Sequence, residues 1–555
     1  METRIFQVNE SAREDPALKE AAEILRKGGL VAFPTETVYG LGANALDVQA
    51  VARIFEAKER PQDNPLILHI SKSSELDLYC KDVPVSARVL AERFWPGPLT
   101  LVLHRRSLIP DVITAGLDTL AIRCPDHPVA RALICQAGVP LAAPSANRSG
   151  RPSPTCCSHV WDDMNGRIEG IVDGGDCKVG VESTVLDLTV SPPRLLRPGG
   201  VPLEALEDVL GDVSVDESLL HRLQEGERPK APGMKYRHYA PKAPVTVVCG
   251  DPADTAVWIL NRIDQTTGVL CFSEYMGAFP GAVVRDMGKS NDPAEQARMV
   301  FRALRSFDET SVAKIYAQCP GESGLGLAVS NRLKKAAGFH VETVSPALPR
   351  LAVFGITGGT GAGKTSALMA LAQMGACVID CDAVYHTLLA ESTEMRQALV
   401  KRFGDILNAT GGVDRKKLGR IVFDDPEALL ALNDLTHTFV TREVDMALDQ
   451  AAQGGCSLAA IDAIALIESG LAARCHRVVG VIAPEQLRVQ RLMRREGIGE
   501  DYALLRIHAQ KPDSFFRENC HAILENKSDD LNSFSQTATK LFLQLLSDIR
   551  KEELK

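Results

Sequence analysis

The segment GGTGAGKT, Gly358–Thr365, constrains the fold more than any other stretch, because it fits the pattern G-x-x-x-x-G-K-S/T in the right local setting. LAVFGIT (351–357) precedes it as an apolar strand, and SALMALAQMG (366–375) follows it as a helix. The glycines let backbone N–H groups turn inward around phosphate oxygens, and the helix N-terminus adds a positive dipole. In such a loop Lys364 reaches the terminal phosphates and Thr365 can ligate Mg²⁺. A strand, loop and helix in this order belong to an α/β domain. The loop alone leaves open a small-molecule kinase, a motor or switch ATPase, and a GTPase.

The loop begins late in a chain of 555 residues, so other domains precede it. At about 100–200 residues per domain the chain should hold three or four. Helical patterns such as LKEAAEILRKGG (18–29) lead into short apolar runs such as LVAFP (30–34), which predicts α/β layering before the loop as well. Two stretches punctuate the chain: EGERPKAPGMKYRHYAPKAP (225–244), rich in Pro and basic residues, and the shorter VSPALPR (344–350). The expected parts are therefore 1–210, a linker at 211–244, a small domain at 245–345 and a final domain at 350–555.

A net charge of −9 argues against a generally basic nucleic-acid-binding surface. No apolar run approaches the ~18 residues that span a bilayer, and METRIFQVNESARED (1–15) lacks an apolar signal core, which predicts a cytoplasmic protein without membrane partners. The 14 cysteines include no C-x-x-C pair, so they read as small core residues in a reducing compartment rather than as zinc ligands.

Downstream of the loop, CVIDCDAVYH (377–386) reads as a buried strand ending in Asp380 and Asp382, which places carboxylates at the sheet edge beside the phosphate site. A carboxylate there can accept the proton of an attacking hydroxyl or help to hold Mg²⁺. Together with ITGGTGAGKTSA, GRIVFDD, LNDLTH, LIESGL and RIHAQ, this segment resembles the dephospho-CoA kinases in motif order and spacing over essentially all of 351–555. The resemblance implies a P-loop kinase domain with a parallel sheet, transferring the γ-phosphate of ATP to the ribose 3′-hydroxyl of dephospho-CoA. It further implies ATP binding by Gly361, Ala362, Gly363, Lys364, Thr365 and Ser366, and Asp382 as general base. Thr365 and Asp462 would hold Mg²⁺, His437 would lie on the acceptor side, and Arg491, Arg494 and Arg495 would form a mobile lid. One segment departs from the family's D-x-P-L-L-x-E: here DAIALIE (462–468) has Ile464 for Pro and Ala465 for Leu. Ile464 restores an N–H donor and adds a β-branched side chain, so a more regular strand beside the acceptor pocket is expected, with weaker acceptor binding or lower activity.

The N-terminal part carries a second set of motifs. FPTETVYGLGANA (33–45) runs from an apolar strand through Thr35 and Thr37 into Gly40 and Gly42, and AKERPQDNPLILHI (57–70) brings Lys58 and Arg60 together, suited to an anionic group. APSANRSGRPSPT (143–155) supplies the hydroxyls and amides of Ser145, Asn147, Ser149 and Ser153. With WPGPLT, AGLDTLAIRCPDHP, GVESTVLDL and RPGG, these segments resemble the YrdC-like threonylcarbamoyl-AMP synthases over nearly all of 15–205. APGMKYRHYAPKAP (231–244) and GLGLAVSNRLKKAAG (324–338) extend the likeness to the family's long form.

That resemblance implies a YrdC-like twisted-sheet domain followed by a small Rossmann-like α/β domain. The implied reaction joins L-threonine, bicarbonate and ATP into L-threonylcarbamoyl-AMP and pyrophosphate, the adenylate serving a downstream tRNA threonylcarbamoyl-transfer machinery. Lys58, Arg60, Asn64, Thr119, Ser145, Asn147, Ser153 and Arg197 would face ATP, with Lys58 and Arg60 catalytic, and Tyr236 would close over the nucleotide. Thr35, His69, Arg123, Ala143 and Ser183 would face threonine, Arg123 as partner of its carboxylate. The different-class alternatives are a noncatalytic RNA-binding module in the N-terminal part and an ATP-binding switch or impaired kinase in the C-terminal part. No stable nucleic-acid binding is expected from the charge.

Overall fold

The computed structural model describes residues 2–8, 15–219, 239–344, 351–408, 411–422 and 425–553. Tyr236 and much of the expected linker lie outside them. Among the described residues three sheets form, of eleven, five and five strands, and helices pack on them as the alternating apolar runs predict. No helix of the described residues is long and apolar enough to cross a membrane. The chain divides into two compact units: Met1–Cys249 with Ile263–Ser273 and Gly281–Thr343, and Gly250–Arg262 with Glu274–Pro280 and Val344–Lys555.

The first unit holds the large mixed sheet. Val31–Phe33 pairs antiparallel with Gly40–Asn44, which pairs with Leu141–Ala142, which in turn pairs with Ile67–His69. Ile67–His69 then runs parallel to Thr119–Arg123. These neighbours bring the ends of the FPTETVYG, LILH, LAIR and LAAPS segments to one place. The helix Val48–Lys58 starts where Asp47 accepts hydrogen bonds from the Gln49 and Ala50 amides, the usual side-chain cap for orphan N–H groups. It stops at Glu59, whose left-handed φ of 54° breaks the helical repeat. Lys58 is thus its last residue, where the helix dipole favours a cation.

The same unit contains a parallel sheet ordered Val283–Asp286, Thr267–Cys271, Lys314–Gln318, Val245–Cys249, Val341–Thr343. It is a second α/β sheet within the unit that holds the large one.

The second unit is built on a parallel sheet ordered Cys377–Asp380, Leu458–Asp462, Ala352–Gly358, Arg477–Ile482, Ala522–Glu525. Its central strand, Ala352–Gly358, is buried along its whole length, which is why that run is continuously apolar rather than alternating. Two sequence expectations change here. Cys377–Asp380 is an edge strand with Val378 exposed, so it is not buried on both faces. The strand Leu458–Asp462 ends at Asp462, leaving Ile464 in a turn rather than in a regularised strand. Its carbonyl accepts a 3.0 Å hydrogen bond from the Thr357 hydroxyl, which holds the chain in that turn.

Candidate active sites

In the first unit, strand ends and the Lys58 helix terminus enclose a cleft. It gathers Thr35, His69, Arg123, Ala143 and Ser183, all five residues expected to face threonine. Lys58, Arg60, Ser145, Asn147 and Arg197 of the nucleotide set line it too. Asn64, Thr119 and Ser153 do not. Asn64 is buried behind Arg60, whose guanidinium donates to the Asn64 and Pro65 carbonyls at 3.3 and 3.2 Å. Thr119 opens the strand Thr119–Arg123 opposite His104. Ser153 is wholly buried and donates to Glu182 at 2.5 Å.

The cleft is lined by the basic side chains Lys58, Arg60, Arg123 and Arg197. Lys58 is almost fully buried, its ammonium held by the Ser145 carbonyl at 2.5 Å and by the Asn147 carbonyl. Burial, with Arg60 adding repulsion, pushes the Lys58 pKa well below the usual lysine value, and an incoming anion would raise it again. Arg197 donates to the Ser183 carbonyl at 3.0 Å and to its hydroxyl at 3.1 Å, and that hydroxyl lies 2.8 Å from Thr100 Oγ1. Burial and the nearby Arg123 push His69 down to about 3, which makes it a neutral imidazole at physiological pH. Its Nδ1 lies 3.2 Å from the Ile67 carbonyl.

Arg123 is fixed from several sides. It donates to the Gly97 carbonyl at 3.2 Å and to Thr37 Oγ1 at 3.0 Å, and pairs with Glu36 at 2.7 Å. Thr37, Glu182 and Tyr239 contribute to the site without having been expected as ligand-facing residues. Thr37 and Glu182 stand within the quoted motifs and so were findable. Tyr239 belongs to the same segment as Tyr236.

In the second unit the phosphate loop and the three arginines expected to form a lid share one cleft. Gly361, Gly363, Lys364, Thr365, Ser366, Asp382, Asp462, Arg491, Arg494 and Arg495 all line it. Ala362 is buried beneath the loop. His437, half-buried on the long helix Pro426–Gln453, does not line this cleft.

Gly363 has φ 111°, and a Cβ there would fall 2.3 Å from Asn526 Nδ2, so glycine is required for the turn that starts the helix Lys364–Gln373. The loop is clamped by distant side chains: Arg488 donates to the Thr360 carbonyl at 2.9 Å and Asn526 to the Ala362 carbonyl at 3.0 Å. Gln510 Oε1 accepts from the Thr360 amide at 2.7 Å. Arg488 and Asn526 carried no signal in the sequence.

Asp380 and Asp382 do not both end the strand. Asp380 caps the helix Cys381–Glu391, accepting from the Asp382 and Ala383 amides at 2.9 and 3.0 Å, and Asp382 occupies that helix's first turn. Asp462 ends the neighbouring strand. Burial, with Asp380 and Asp382 nearby, raises its carboxyl to about 6 despite the opposing pull of Lys364. Among the described residues its buried Oδ1 has no hydrogen-bond partner. An orphaned carboxylate oxygen, with the Thr365 hydroxyl on the same cleft wall, is a donor set that fits Mg²⁺, which usually takes one or two carboxylates plus substrate phosphates.

The arginines are paired within the protein. Arg491 donates to Asp529 at 2.9 Å and to the Gly361 carbonyl at 3.1 Å, Arg494 reaches Asp529 at 3.5 Å, and Arg495 donates to Glu496 at 2.5 Å. They stand on the helix Glu485–Glu496, which packs with Glu500–His508 through Val489, Leu492, Ala503 and Ile507.

These two clefts define a chain of two nucleotide-handling α/β enzymes. Residues 23–199 match the family described as Telomere recombination, residues 201–338 the family Threonylcarbamoyl-AMP synthase, C-terminal domain, and residues 352–531 the family Dephospho-CoA kinase. A threonylcarbamoyl-AMP synthase of Pyrococcus abyssi is 50% identical over 336 residues, which cover 59% of this chain and 96% of the relative. One of Bacillus subtilis is 48% identical over 337 residues, covering 60% of this chain and 96% of that one. A crystal structure of P. abyssi Sua5 complexed with L-threonine matches with a TM-score of 0.59 at 49% identity, over 62% of this chain and all of that one. The chain belongs to the threonylcarbamoyl-AMP synthase family and carries a dephospho-CoA kinase domain behind it.

Proposed function

We propose that one polypeptide houses two independent ATP-using enzymes, divided as 1–210, 211–244, 245–345 and 350–555. The first makes L-threonylcarbamoyl-AMP and pyrophosphate from L-threonine, bicarbonate and ATP. The second phosphorylates the ribose 3′-hydroxyl of dephospho-CoA. The observation that carries the first reading is that the five residues expected to face threonine and the basic residues Lys58, Arg60 and Arg197 line a single cleft.

In the synthase, Arg123 receives the threonine carboxylate while neutral His69, Thr35 and Ser183 hold the rest of the amino acid. The threonine amine attacks the bicarbonate carbon, and a C–O bond breaks to release water, leaving the N-carboxylate (carbamate). A carbamate oxygen then attacks the α-phosphorus, forming the mixed anhydride as the bond to pyrophosphate breaks. Negative charge grows on the phosphoryl oxygens and on the leaving group, and preorganised cations in a dry site stabilise that charge most. Lys58, Arg60 and Arg197 take this role, with Ser145 and Asn147 orienting the nucleotide.

In the kinase, Asp382 accepts the proton of the 3′-hydroxyl as its oxygen attacks the γ-phosphorus and ADP leaves. Lys364 and the loop amides hold the phosphates, and Arg491, Arg494 and Arg495 exchange their internal partners for the transferred group. Thr365 and Asp462 would hold Mg²⁺, which would supply charge neutralisation there. His437 serves the acceptor side from the long helix. The adenylate passes to tRNA threonylcarbamoyl-transfer machinery, and fourteen free cysteines support a reducing, cytoplasmic setting.

The test incubates the whole chain with ATP and each acceptor set separately, following ADP against pyrophosphate. Lys364→Ala abolishes dephospho-CoA-dependent ADP formation and leaves threonine- and bicarbonate-dependent pyrophosphate release near normal. Loss of both from a folded variant defeats the independent-site reading.

A further inference from the structure

The motif GLGLAVSNRLKKAAG has no part in either set of ligand-facing residues, yet it carries a fully buried arginine. Arg332 sits on the helix Leu325–Ala336 with 0% exposure. Its Nε donates to Glu182 at 2.6 Å, and its terminal nitrogens donate to the Pro198 carbonyl at 2.9 Å and to Asn331 Oδ1 at 3.0 Å. The guanidinium also lies 5.5 Å from the centre of the Tyr239 ring.

Glu182 and Tyr239 line the synthase cleft, and Glu182 immediately precedes Ser183. Pro198 immediately follows Arg197. One side chain therefore grips both loops that present Ser183 and Arg197, and those two residues are hydrogen-bonded to each other. The loops are also packed without slack. A Cβ at Gly199 would fall 2.3 Å from the Glu182 carbonyl, and one at Gly180 would fall 2.3 Å from the Ala297 carbonyl on the helix Pro293–Ser306. Segment 245–343 thus holds the GVES loop at Gly180 and at Glu182.

We propose that Arg332 is a positioning residue of the synthase: through Glu182 and Pro198 it sets Ser183, Arg197, Ser153 and Tyr239 around the cleft, making the small α/β domain an integral part of that active site. The proposal rests on the synthase reading above. An exposed ion pair could not act this way, because water would screen it and side-chain entropy would loosen it. A buried pair in which each of the three guanidinium nitrogens is hydrogen-bonded is held in one arrangement.

The charges around Glu182 supply a readout that a merely structural role would not move. Burial by itself would raise this carboxyl, but Arg332 and Arg197, with the Ser153 hydrogen bond, hold it down to about 2. Tyr239 and Lys335 also face it. Lys335 is pushed down to about 7 by burial and by Arg332 and Arg197, so removing Arg332 moves Lys335 upward, away from the acid range.

Arg332→Gln and Arg332→Lys are compared with the unaltered full chain for threonine-dependent pyrophosphate release between pH 5 and 8. Arg332→Gln is expected to lose on the order of 10²-fold in kcat/KM for threonine, the scale of a 1 Å misplacement of reacting groups. It should gain an acid limb absent from the unaltered protein as Glu182 protonates. Arg332→Lys keeps the cation, so it should show less of both changes, and ADP formation should be untouched. If Arg332→Gln fails to fold, the double change Arg332→Gln, Glu182→Gln leaves neither charge buried alone and carries the same kcat/KM test. Unchanged kcat/KM in a folded variant overturns the proposal, as does a pH-independent loss that lysine does not rescue. An unaltered chain that releases no pyrophosphate overturns instead the synthase reading on which it rests.

Discussion

Arg123 and Glu36 form a 2.7 Å ion pair in which both side chains are buried. Arg123 lines the synthase cleft, whereas Glu36 stands behind it. Removing one partner of a buried pair strands the other's charge, at a cost of about 3–5 kcal/mol. Glu36→Ala should therefore lower the melting temperature of the synthase unit. Threonine should recover more stability in this variant than in the unaltered protein, because its carboxylate replaces the missing anion. Thermal melts with and without saturating threonine check this, and equal ligand-induced shifts would mean that Arg123 does not meet the carboxylate.

ATP binding should raise the Lys58 pKa. Its pKa is depressed by burial and by Arg60, so the free protein loses this proton at lower pH than an exposed lysine would, and a triphosphate reverses that balance. Calorimetry of ATP binding to the Lys364→Ala chain at pH 8, in two buffers of different ionisation enthalpy, should show uptake of up to about one proton. A buffer-independent heat would sink the idea.

Arg60 lies in the cleft with its guanidinium held by two backbone carbonyls. Such a preorganised donor is worth about 2–4 kcal/mol at the transition state, so Arg60→Ala should lower pyrophosphate release by roughly 10²–10³-fold. Kinase rates should not change. Wild-type pyrophosphate release would reduce Arg60 to a solvated basic residue.

Asp462 should trade stability for function. Its folded pKa of about 6 lies above the unfolded 3.8, so its favourable contribution is complete below about 3.8 and is lost as pH rises through 6. At pH 7 the carboxylate costs stability, and Asp462→Asn should raise the melting temperature by roughly 2–4 °C, allowing for partial solvent exposure. The gain should disappear near pH 4. Kinase activity and its Mg²⁺ dependence should fall sharply in the same variant. A lower melting temperature at pH 7 would show that attraction to Lys364 outweighs burial.

Much of both sites was legible because the chemistry is local. Gly361 to Ser366 are one continuous stretch running from the loop into the first turn of its helix, and Gly361 and Gly363 take the left-handed φ values that the turn needs. Thr35, Lys58, Arg60, Ser145 and Asn147 likewise stand in short motifs next to turns. Ser153 shows the limit of this reasoning, since Ser145, Asn147 and Ser149 of its motif line the cleft whereas its own hydroxyl is taken by Glu182. The strand and cap at Asp380 show another, because an Asp between apolar residues reads equally as a strand end or as a helix cap until the chain's turn is known.

By itself the sequence determined the α/β class, the phosphate loop, the order of the two enzymes and many of the side chains that line the two clefts, since these depend on periodicity, glycine placement and motif spacing within a few residues. Only the tertiary structure decided which charges are held in place. Arg332 meets Glu182 across 150 residues, and Asn526 meets Ala362 across 164. Neither pair leaves a periodic trace, because packing of whole elements, not local backbone preference, brings such side chains together and removes the water that would otherwise screen them.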